Sequence, residues 1–384
     1  MRGNRSSRRR FLALAVAAAG AGPLAGCGYR PGGGDVRWEH GTGTGTYRPD
    51  DLLATGRTAF TVNRSVRGFD FDAEEWSVSA DIAAYDAASG GPTWEETTPP
   101  CGRPAASGGR LYVGHEDDGL VAFADDGERL WEIDVGDFPR TVAARDDRVY
   151  ALTEAGDLHA FAADDGDQSW RTTLGANEET ADDGEERTPT ADRATLTTTR
   201  NGVLVHYRDG TSAGGGTTEV AVFGTDGDRR WTTELVIEPS GRAAADDETG
   251  AVYVPSDRVL HAVSLDDGSE RWSQGVAGIK GTPVVADGRL YHVGGGGLYA
   301  RSPKDGSLLW QVESDGLRGF SSSPAVADGR VYVGAHDAVY AIAAEDGTVV
   351  WQVESGRVTD APRVVAETVV VSTSDGDVRG HWRG

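Results

Sequence analysis

The chain alternates short apolar runs with turn residues over most of its length. In residues 339–351, VYAIAAEDGTVVW, apolar and small side chains alternate, an Asp-Gly pair follows, and a second short run ends in tryptophan. Alternation of period two is typical of a half-buried strand, and Asp-Gly is typical of a tight hairpin turn. The segment therefore predicts two antiparallel strands.

The same pattern recurs towards the N-terminus. Its copies end at seven tryptophans, namely Trp94, Trp131, Trp170, Trp231, Trp272, Trp310 and Trp351. Successive tryptophans are 37, 39, 61, 41, 38 and 41 residues apart. A period of about 40 residues with strand and turn content indicates one propeller blade per repeat.

A further hairpin precedes these segments, as in residues 282–294 (TPVVADGRLYHVG) and 323–335 (SPAVADGRVYVGA). The two hairpins together predict an all-β fold, a β-propeller of four-stranded antiparallel blades. The isolated strand at 35–43, DVRWEHGTG, has no partner hairpin. Pairing it with the C-terminal blade would leave no open sheet edge. We therefore predict eight blades, with seven as the alternative.

The repeat resembles a known family. ADGRVYVG (residues 327–334), YAIAAEDG (340–347) and the closing Trp351 are similar to the pyrroloquinoline-quinone (PQQ)-type propeller repeat. That family contains quinoprotein dehydrogenases and the non-enzymatic lipoprotein of the bacterial outer-membrane assembly machinery. The resemblance extends over about residues 50–382. It implies a propeller, with activity to be decided by the site because one repeat serves catalytic and scaffold members.

The N-terminus has the features of an export signal. Arg8 and Arg9 lie in SRRRFL, which matches the twin-arginine pattern, and an apolar run follows. LAGC, ending at Cys27, resembles a lipobox, in which the cysteine becomes the lipidated first residue. An ordinary N-terminal helix or membrane span is the alternative, but the apolar run is too short to cross a bilayer. We predict anchoring to the outer face of the cytoplasmic membrane.

These signals divide the chain into three parts. Residues 1–26 form the twin-arginine lipoprotein signal peptide, residues 27–34 (CGYRPGGG) a flexible tether, and residues 35–384 a single propeller domain. The propeller is expected to be monomeric and closed by its N- and C-terminal strands.

The charge of the chain is strongly acidic. The sequence has 37 basic and 61 acidic residues. The signal contributes five arginines and no acid, which leaves a mature balance of 32 − 61 = −29. Nucleic acid is excluded as a partner at that charge. The surface resembles those of proteins from extreme halophiles, where salt screens self-repulsion; an ordinary acidic soluble protein is the alternative.

Neither cysteine nor histidine indicates a catalytic or metal site. With Cys27 assigned to lipid, Cys101 in TPPCGRP is left without a partner, and a structural thiol is favoured over a nucleophile. The Asp-rich turns lack the ligand spacing of a calcium loop. The repeat tryptophans either stack on a ligand or pack between blades, and one per blade at a fixed place favours packing.

Three segments depart from the repeat. The 61-residue interval between Trp170 and Trp231 contains extra residues at 175–193 and 208–219. Insertions in repeat proteins emerge as loops, often on the binding face, although a solvated loop without function is the alternative. A third segment, residues 64–80, carries Phe69, Phe71 and Trp76 among acidic residues. Exposed aromatic residues of this kind predict a loop that recognises a protein partner.

The sequence as a whole favours a non-catalytic scaffold. The resemblance implies that an enzyme of this family would stack PQQ between a tryptophan and a disulfide of adjacent cysteines, and would hold calcium with carboxylate and Asn ligands. No adjacent cysteine pair occurs. We predict a membrane-anchored binding protein for a protein partner or a small ligand, without cofactor, metal or catalytic residues. A PQQ-dependent dehydrogenase is the alternative.

Overall fold

A computed structural model describes residues 32–41, 50–70, 75–117, 119–174, 190–208, 218–235, 237, 240–314 and 319–384. These residues contain 32 strands in eight four-stranded antiparallel sheets. Residues 32–384 form one compact unit. The prediction of an all-β, eight-bladed propeller is confirmed, and the seven-bladed alternative is rejected.

The first four blades each take four consecutive strands. Blade one contains β2 (Asp51–Thr55), β3 (Thr58–Asp70), β4 (Glu75–Asp86) and β5 (Pro92–Thr98), and blade two contains β6 (Ala105–Ser107), β7 (Arg110–Gly114), β8 (Gly119–Ala124) and β9 (Arg129–Asp134). Blade three contains β10 (Pro139–Arg145), β11 (Arg148–Thr153), β12 (Asp157–Ala162) and β13 (Gln168–Thr173), and blade four contains β14 (Thr190–Thr199), β15 (Gly202–Arg208), β16 (Thr218–Gly224) and β17 (Arg229–Leu235).

Blades five to seven repeat the plan, and blade eight takes its outer strand from the N-terminus. Blade five contains β18 (Ala244–Asp246), β19 (Ala251–Pro255), β20 (Val259–Ser264) and β21 (Glu270–Gly275), and blade six contains β22 (Ile279–Ala286), β23 (Arg289–Gly294), β24 (Gly297–Arg301) and β25 (Leu308–Glu313). Blade seven contains β26 (Ala325–Ala327), β27 (Arg330–Gly334), β28 (Ala338–Ala343) and β29 (Val349–Glu354), and blade eight contains β30 (Arg363–Val365), β31 (Thr368–Ser372), β32 (Asp377–Trp382) and β1 (Val36–Gly41).

The blades close into a ring. Each first strand contacts the first strand of the next blade, and β30 of blade eight contacts β2 of blade one. The predicted pairing of the two ends is present, since β1 pairs antiparallel with β32. Gly32 to Gly34 take part in this closure: the Gly34 amide donates to the Trp382 carbonyl at 2.7 Å. In blade eight the third strand, β32, and the fourth strand, β1, are therefore paired without a connecting turn, whereas the other blades connect these two strands by a turn.

The hydrophobic core lies between the blades. The buried apolar residues form eight clusters, and each cluster joins side chains of two consecutive blades. The second and third strands supply most of them, as in β27, where Val331, Tyr332 and Val333 are fully buried. Each blade buries apolar side chains of both its faces against its two neighbours. A single blade would expose them and is therefore not stable alone.

The repeat tryptophans bind each blade to the next. Each lies in a fourth strand and donates its indole N–H to a backbone carbonyl just after the third strand of the following blade, at 2.8–3.1 Å. For the tryptophans of blades one to six, this carbonyl and the glycine against the ring belong to one turn. Trp351 instead donates to Arg383 and lies on Gly33 and Gly34. At Gly127 a Cβ atom would come within 2.7 Å of the Trp94 ring. Glycine is therefore required at this position for two reasons: the turn needs the positive φ of 88°, and the Trp94 ring leaves no room for a side chain.

Trp38 is the eighth member of this set, which the sequence analysis did not include. It lies in β1, donates to the Ala87 carbonyl of blade one at 2.9 Å, and packs on Gly90. Trp38 and Trp231 are buried, each 8% exposed, and the other six tryptophans are half-buried. The junction between the last blade and the first is thus built like the other seven.

We expect Trp38→Ala to lower the free energy of unfolding by about 3 to 5 kcal/mol, because a buried ring and its hydrogen bond are lost. Trp310→Ala should cost less, since its ring is half-buried. Trp38→Phe retains most of the apolar contact and should cost clearly less than the alanine variant. Denaturant unfolding measures all three, and an unchanged midpoint for Trp38→Ala would contradict the role of Trp38 in closure.

Candidate functional site

The central channel of the ring contains a cavity. First strands or the residues just before them, from all eight blades, line a cavity of about 750 Å³. A second cavity of about 380 Å³ shares Arg103, Gly241 and Arg242 with it. Small-molecule sites typically occupy about 300 to 1,000 Å³. The channel has the size of a ligand site.

One residue of each blade has the same position relative to the end of the first strand and lines one of the two cavities. It is the residue four positions before the end of the first strand, where that strand turns into the second. We call this set the channel ring. Its members are Asp51, Arg103, Thr141, Thr195, Arg242, Thr282, Ser323 and Ala361. Six of the eight carry a guanidinium or hydroxyl donor, and only one is acidic.

The carboxylates of Asp51 and Asp360 are already paired. Asp51 forms an ion pair with Arg64, Oδ2 to Nε 2.9 Å, without an aligned hydrogen bond. Burial raises the pKa of Asp51, and the nearby arginines oppose the rise. Asp360, just before β30, accepts the Leu52 amide at 2.9 Å and lies 3.8 Å from a guanidinium nitrogen of Arg363.

Arg103 and Arg242 differ from the other channel arginines. Neither guanidinium has a hydrogen-bond or ion-pair partner among the described residues, although both sense Asp51 and Asp360 at longer range. Burial lowers the pKa of Arg103. Burial also lowers the pKa of Arg242 to about 10, and repulsion from Arg103 adds to it. The channel therefore holds uncompensated positive charge inside a protein with a net charge of −24.

Sequence patterns did not reveal the channel ring. Its members differ in residue type and share only a position relative to the turn after the first strand. Counting five residues back from the aspartate of an aligned Asp-Gly turn, such as Asp287–Gly288, gives Thr282. That turn has positive φ at both residues, 51° and 67°, as a two-residue hairpin requires. The count works only once the register of each blade is known.

The predicted partner segment is an extended hairpin rather than a loop. Strands β3 and β4 continue beyond the blade, with Val66 opposite Ser79 and Phe69 opposite Trp76, after a bulge between Asn63 and Val66. Phe71 lies outside the described residues. The alternation of residues 64–70 and 75–80 lets them pair as strands, which places Phe69 and Trp76 at the far end of one ladder.

All three insertions leave the ring on one side. In an antiparallel blade, the connection from second to third strand and the connection to the next blade emerge on the same face. The β3–β4 hairpin and the β15–β16 connection are of the first kind, and the β13–β14 connection is of the second. Residues 175–189 and 209–217 lie outside the described residues. We call this side the insertion face and the opposite side the turn face.

The outer strands of two adjacent blades carry exposed aliphatic side chains. Leu308 and Leu309 in β25 are 48% and 50% exposed, and Val349 and Val350 in β29 are 43% and 46% exposed. The equivalent pairs in β13 and β21 are Gln-Ser and Glu-Arg. The outer rim is therefore apolar beside Trp310 and Trp351 and polar at the same positions of β13 and β21. Val36 in β1 and Leu130 in β9 are further exposed aliphatic residues of outer strands, 51% and 38% exposed.

Cys101 is buried, 6% exposed, and forms an isolated bridge with His115 near the insertion-face end of the channel. Burial raises the pKa of its thiol to about 12, so the reactive thiolate is suppressed. Within the described ranges, no three His, Cys, Asp or Glu side chains are grouped as metal ligands would be. Cys101 therefore supplies no reactive thiolate to the channel.

The residues of the predicted export signal, Arg8, Arg9 and Cys27, lie outside the described residues. In the part of the chain that the structure describes, no helix has the length and apolar character needed to cross a membrane.

The fold defines the protein as an eight-bladed β-propeller of tryptophan-docked, PQQ-like repeats. The model of one family, described as outer membrane protein assembly factor BamB, matches residues 78–260, 216–318 and 294–381. Because these matches cover most of the chain, the protein belongs to that family.

Known proteins agree with this assignment. BamB of Yersinia pestis is 26% identical over 242 residues, which are 55% of this chain and 56% of that protein. This chain thus matches little more than half the length of its curated relative. The crystal structure of BamB from Moraxella catarrhalis has a TM-score of 0.61 at 13% identity, covering 90% of this chain and 99% of that one.

An enzyme shares the fold as well. Quinohemoprotein alcohol dehydrogenase from Comamonas testosteroni has a TM-score of 0.62 at 13% identity, covering 91% of this chain and 76% of that one. At this identity the likeness shows the fold alone. The channel does not fit PQQ and calcium as the dehydrogenases hold them, because the sequence lacks adjacent cysteines and Asp51 and Asp360 are engaged by Arg64 and Arg363.

We expect the purified protein incubated with PQQ and calcium to retain no quinone absorbance after desalting and to reduce no dye with alcohols or sugars. The physical reason is the lack of a free carboxylate set for calcium among the described channel residues. Spectrophotometry and a dye-reduction assay measure both outcomes. Stoichiometric quinone retention together with substrate-dependent dye reduction would establish the dehydrogenase instead.

Proposed function

We propose that the protein is an exported, lipid-anchored propeller that acts as a non-catalytic scaffold for a protein partner. Membership of the BamB family supports a scaffold role, since the matched relatives are named as outer membrane protein assembly factors. One observation carries the proposal: three insertions into an otherwise regular ring all leave from the insertion face. Rigid scaffolds commonly present binding loops in this way.

The described chain begins on the turn face of the ring. Strand β1 starts at Val36 on the turn face, where Gly34 bonds to Trp382, and ends at Gly41 on the insertion face. A lipid on Cys27 would therefore be joined to the ring through its turn face. The insertion face would then be left open to a partner.

The hairpin of β3 and β4 is the proposed recognition element. Its strands pair as far as Asp70 and Glu75, which gives the aromatic positions Phe69 and Trp76 a fixed place. Aromatic residues on a rigid element lose little conformational entropy on binding and are frequent centres of interface energy. An acidic partner is disfavoured at the net charge of −24.

Replacing residues 67–78 by Asn-Gly should abolish partner capture without lowering the melting temperature of the ring. Val66 and Ser79 already pair, and a two-residue turn can join them. Affinity capture from membranes in high salt, followed by mass spectrometry, identifies the partner and measures its loss.

Two variants complete this experiment. Phe69→Ser with Phe71→Ser and Trp76→Ser keeps the length of the hairpin and should also lose the partner. Leu308→Ser with Leu309→Ser removes exposed apolar surface from the outer rim and should retain it. Undiminished capture by the shortened hairpin would remove this segment from the binding surface.

Anchoring through Cys27 is tested separately. Cys27→Ser should release the folded protein into the medium, because the thiol that accepts lipid is absent. Fractionation of cells and medium by immunoblot measures the distribution. Continued association of the variant with membranes would contradict lipid anchoring, while Cys101→Ser serves as the matched cysteine control.

A further inference from the structure

We propose that the channel ring binds a small oxyanion, such as a phosphate or a compact polycarboxylate, between Arg103 and Arg242. The inference goes beyond the scaffold role and does not depend on it. It rests on the charges, the hydroxyl groups and the cavity that the eight first strands bring together.

The first argument is the unbalanced charge. Arg103 and Arg242 come from blades two and five and line the same two cavities. They repel each other, and neither has a counter-charge in contact within the described residues. Positive charges withdrawn from water without partners destabilise a fold. Their presence at equivalent positions of two blades is explained by an anion that compensates both.

The second argument is the pairing of the carboxylates. Asp51 is held by Arg64 at 2.9 Å. Both oxygens of Asp360 accept backbone amides, from Leu52 at 2.9 Å and from Ala361 at 2.7 Å. These acids are fixed by neighbours on their own side of the channel. They are not positioned to neutralise Arg103 or Arg242 by direct contact.

The third argument is a buried polar atom without a partner. Thr195 lines the smaller cavity, and its Oγ1 atom is buried and has no hydrogen-bond partner among the described residues. Thr141, also in the channel ring, lines the same cavity as Arg103 and Arg242. A buried hydroxyl without a partner is costly and points to a missing hydrogen-bonding group. An oxyanion would accept hydrogen bonds from hydroxyl and guanidinium groups together.

The chemistry of the donors selects the ligand class. Guanidinium groups match carboxylate and phosphate oxygens in paired hydrogen bonds, whereas a halide offers no such geometry. The cavity of about 380 Å³ admits a small ion with its remaining water. An anion would enter the smaller cavity from the insertion face, where Arg64 and Arg140 are among its lining residues.

Isothermal titration at constant ionic strength tests the proposal, with inorganic phosphate in one arm and citrate in the other. We expect saturable binding of one ion per protein in at least one arm. Arg103→Gln and Arg242→Gln should each weaken it by about tenfold or more, as for loss of a charged hydrogen bond. Arg242→Lys keeps the charge but loses the paired donors, and should weaken it as well.

Arg57→Gln is the matched control, because it removes one charge from a side chain that is 76% exposed. It should leave binding unchanged. Equal binding by Arg103→Gln, Arg242→Gln and the unaltered protein would indicate an adventitious ion only and overturn the proposal. Lack of saturable binding in both arms would also overturn it.

Thermal unfolding without added anion gives an independent measurement. Arg103→Gln and Arg242→Gln should melt no lower than the unaltered protein, because each removes a charge that has no partner. Added phosphate or citrate should then raise the melting temperature of the unaltered protein but not of these variants. A clear fall in melting temperature without anion would assign the two arginines to holding the ring and contradict a ligand site.

Discussion

The architecture depends on the contact between an indole in one blade and the turn of the next. The tryptophan of each fourth strand packs its ring against a glycine and donates its N–H to a carbonyl just after the third strand of the next blade, eight times around the ring. In blades five and six a tyrosine of the second strand donates to that same carbonyl, as Tyr253 and Tyr291 do. The interface clusters lie directly beneath these contacts, so the hydrogen bonds orient blades that the hydrophobic effect holds together.

The repeat made much of this fold predictable. Asp-Gly turns and closing tryptophans gave the blade, its period and the four-stranded sheet, because one glycine must satisfy both the turn and the neighbouring ring. The number of blades followed from the lone strand at the N-terminus. Trp38 escaped the comparison of repeats because it is separated from its blade by more than 300 residues of chain, as the pairing of Val36 with His381 shows.

The candidate site was less predictable. Phe69, Phe71 and Trp76 stood out as aromatic residues in an acidic insertion, but composition gave no sign that β3 and β4 extend to pair Phe69 with Trp76. The channel ring has no residue type in common. It emerges only when the first strands of the eight blades are compared, because strand pairing and not local sequence decides which residues line the channel. Arg103 and Arg242 were not singled out by any sequence pattern, and they meet because both line the same two cavities.

The closure by strands from both ends has a consequence for how the ring can be opened. A Cβ atom built on Gly384 would lie 2.6 Å from the Cα atom of Gly33, so these residues are immediate neighbours. A short peptide joining them would make the chain topologically endless. New termini could then be cut at any other third-to-fourth-strand turn, such as that of Gly347. The break between the third and fourth strands of blade eight is thus one of eight equivalent places at which the ring can be opened, and circular permutants should reach the same closed ring.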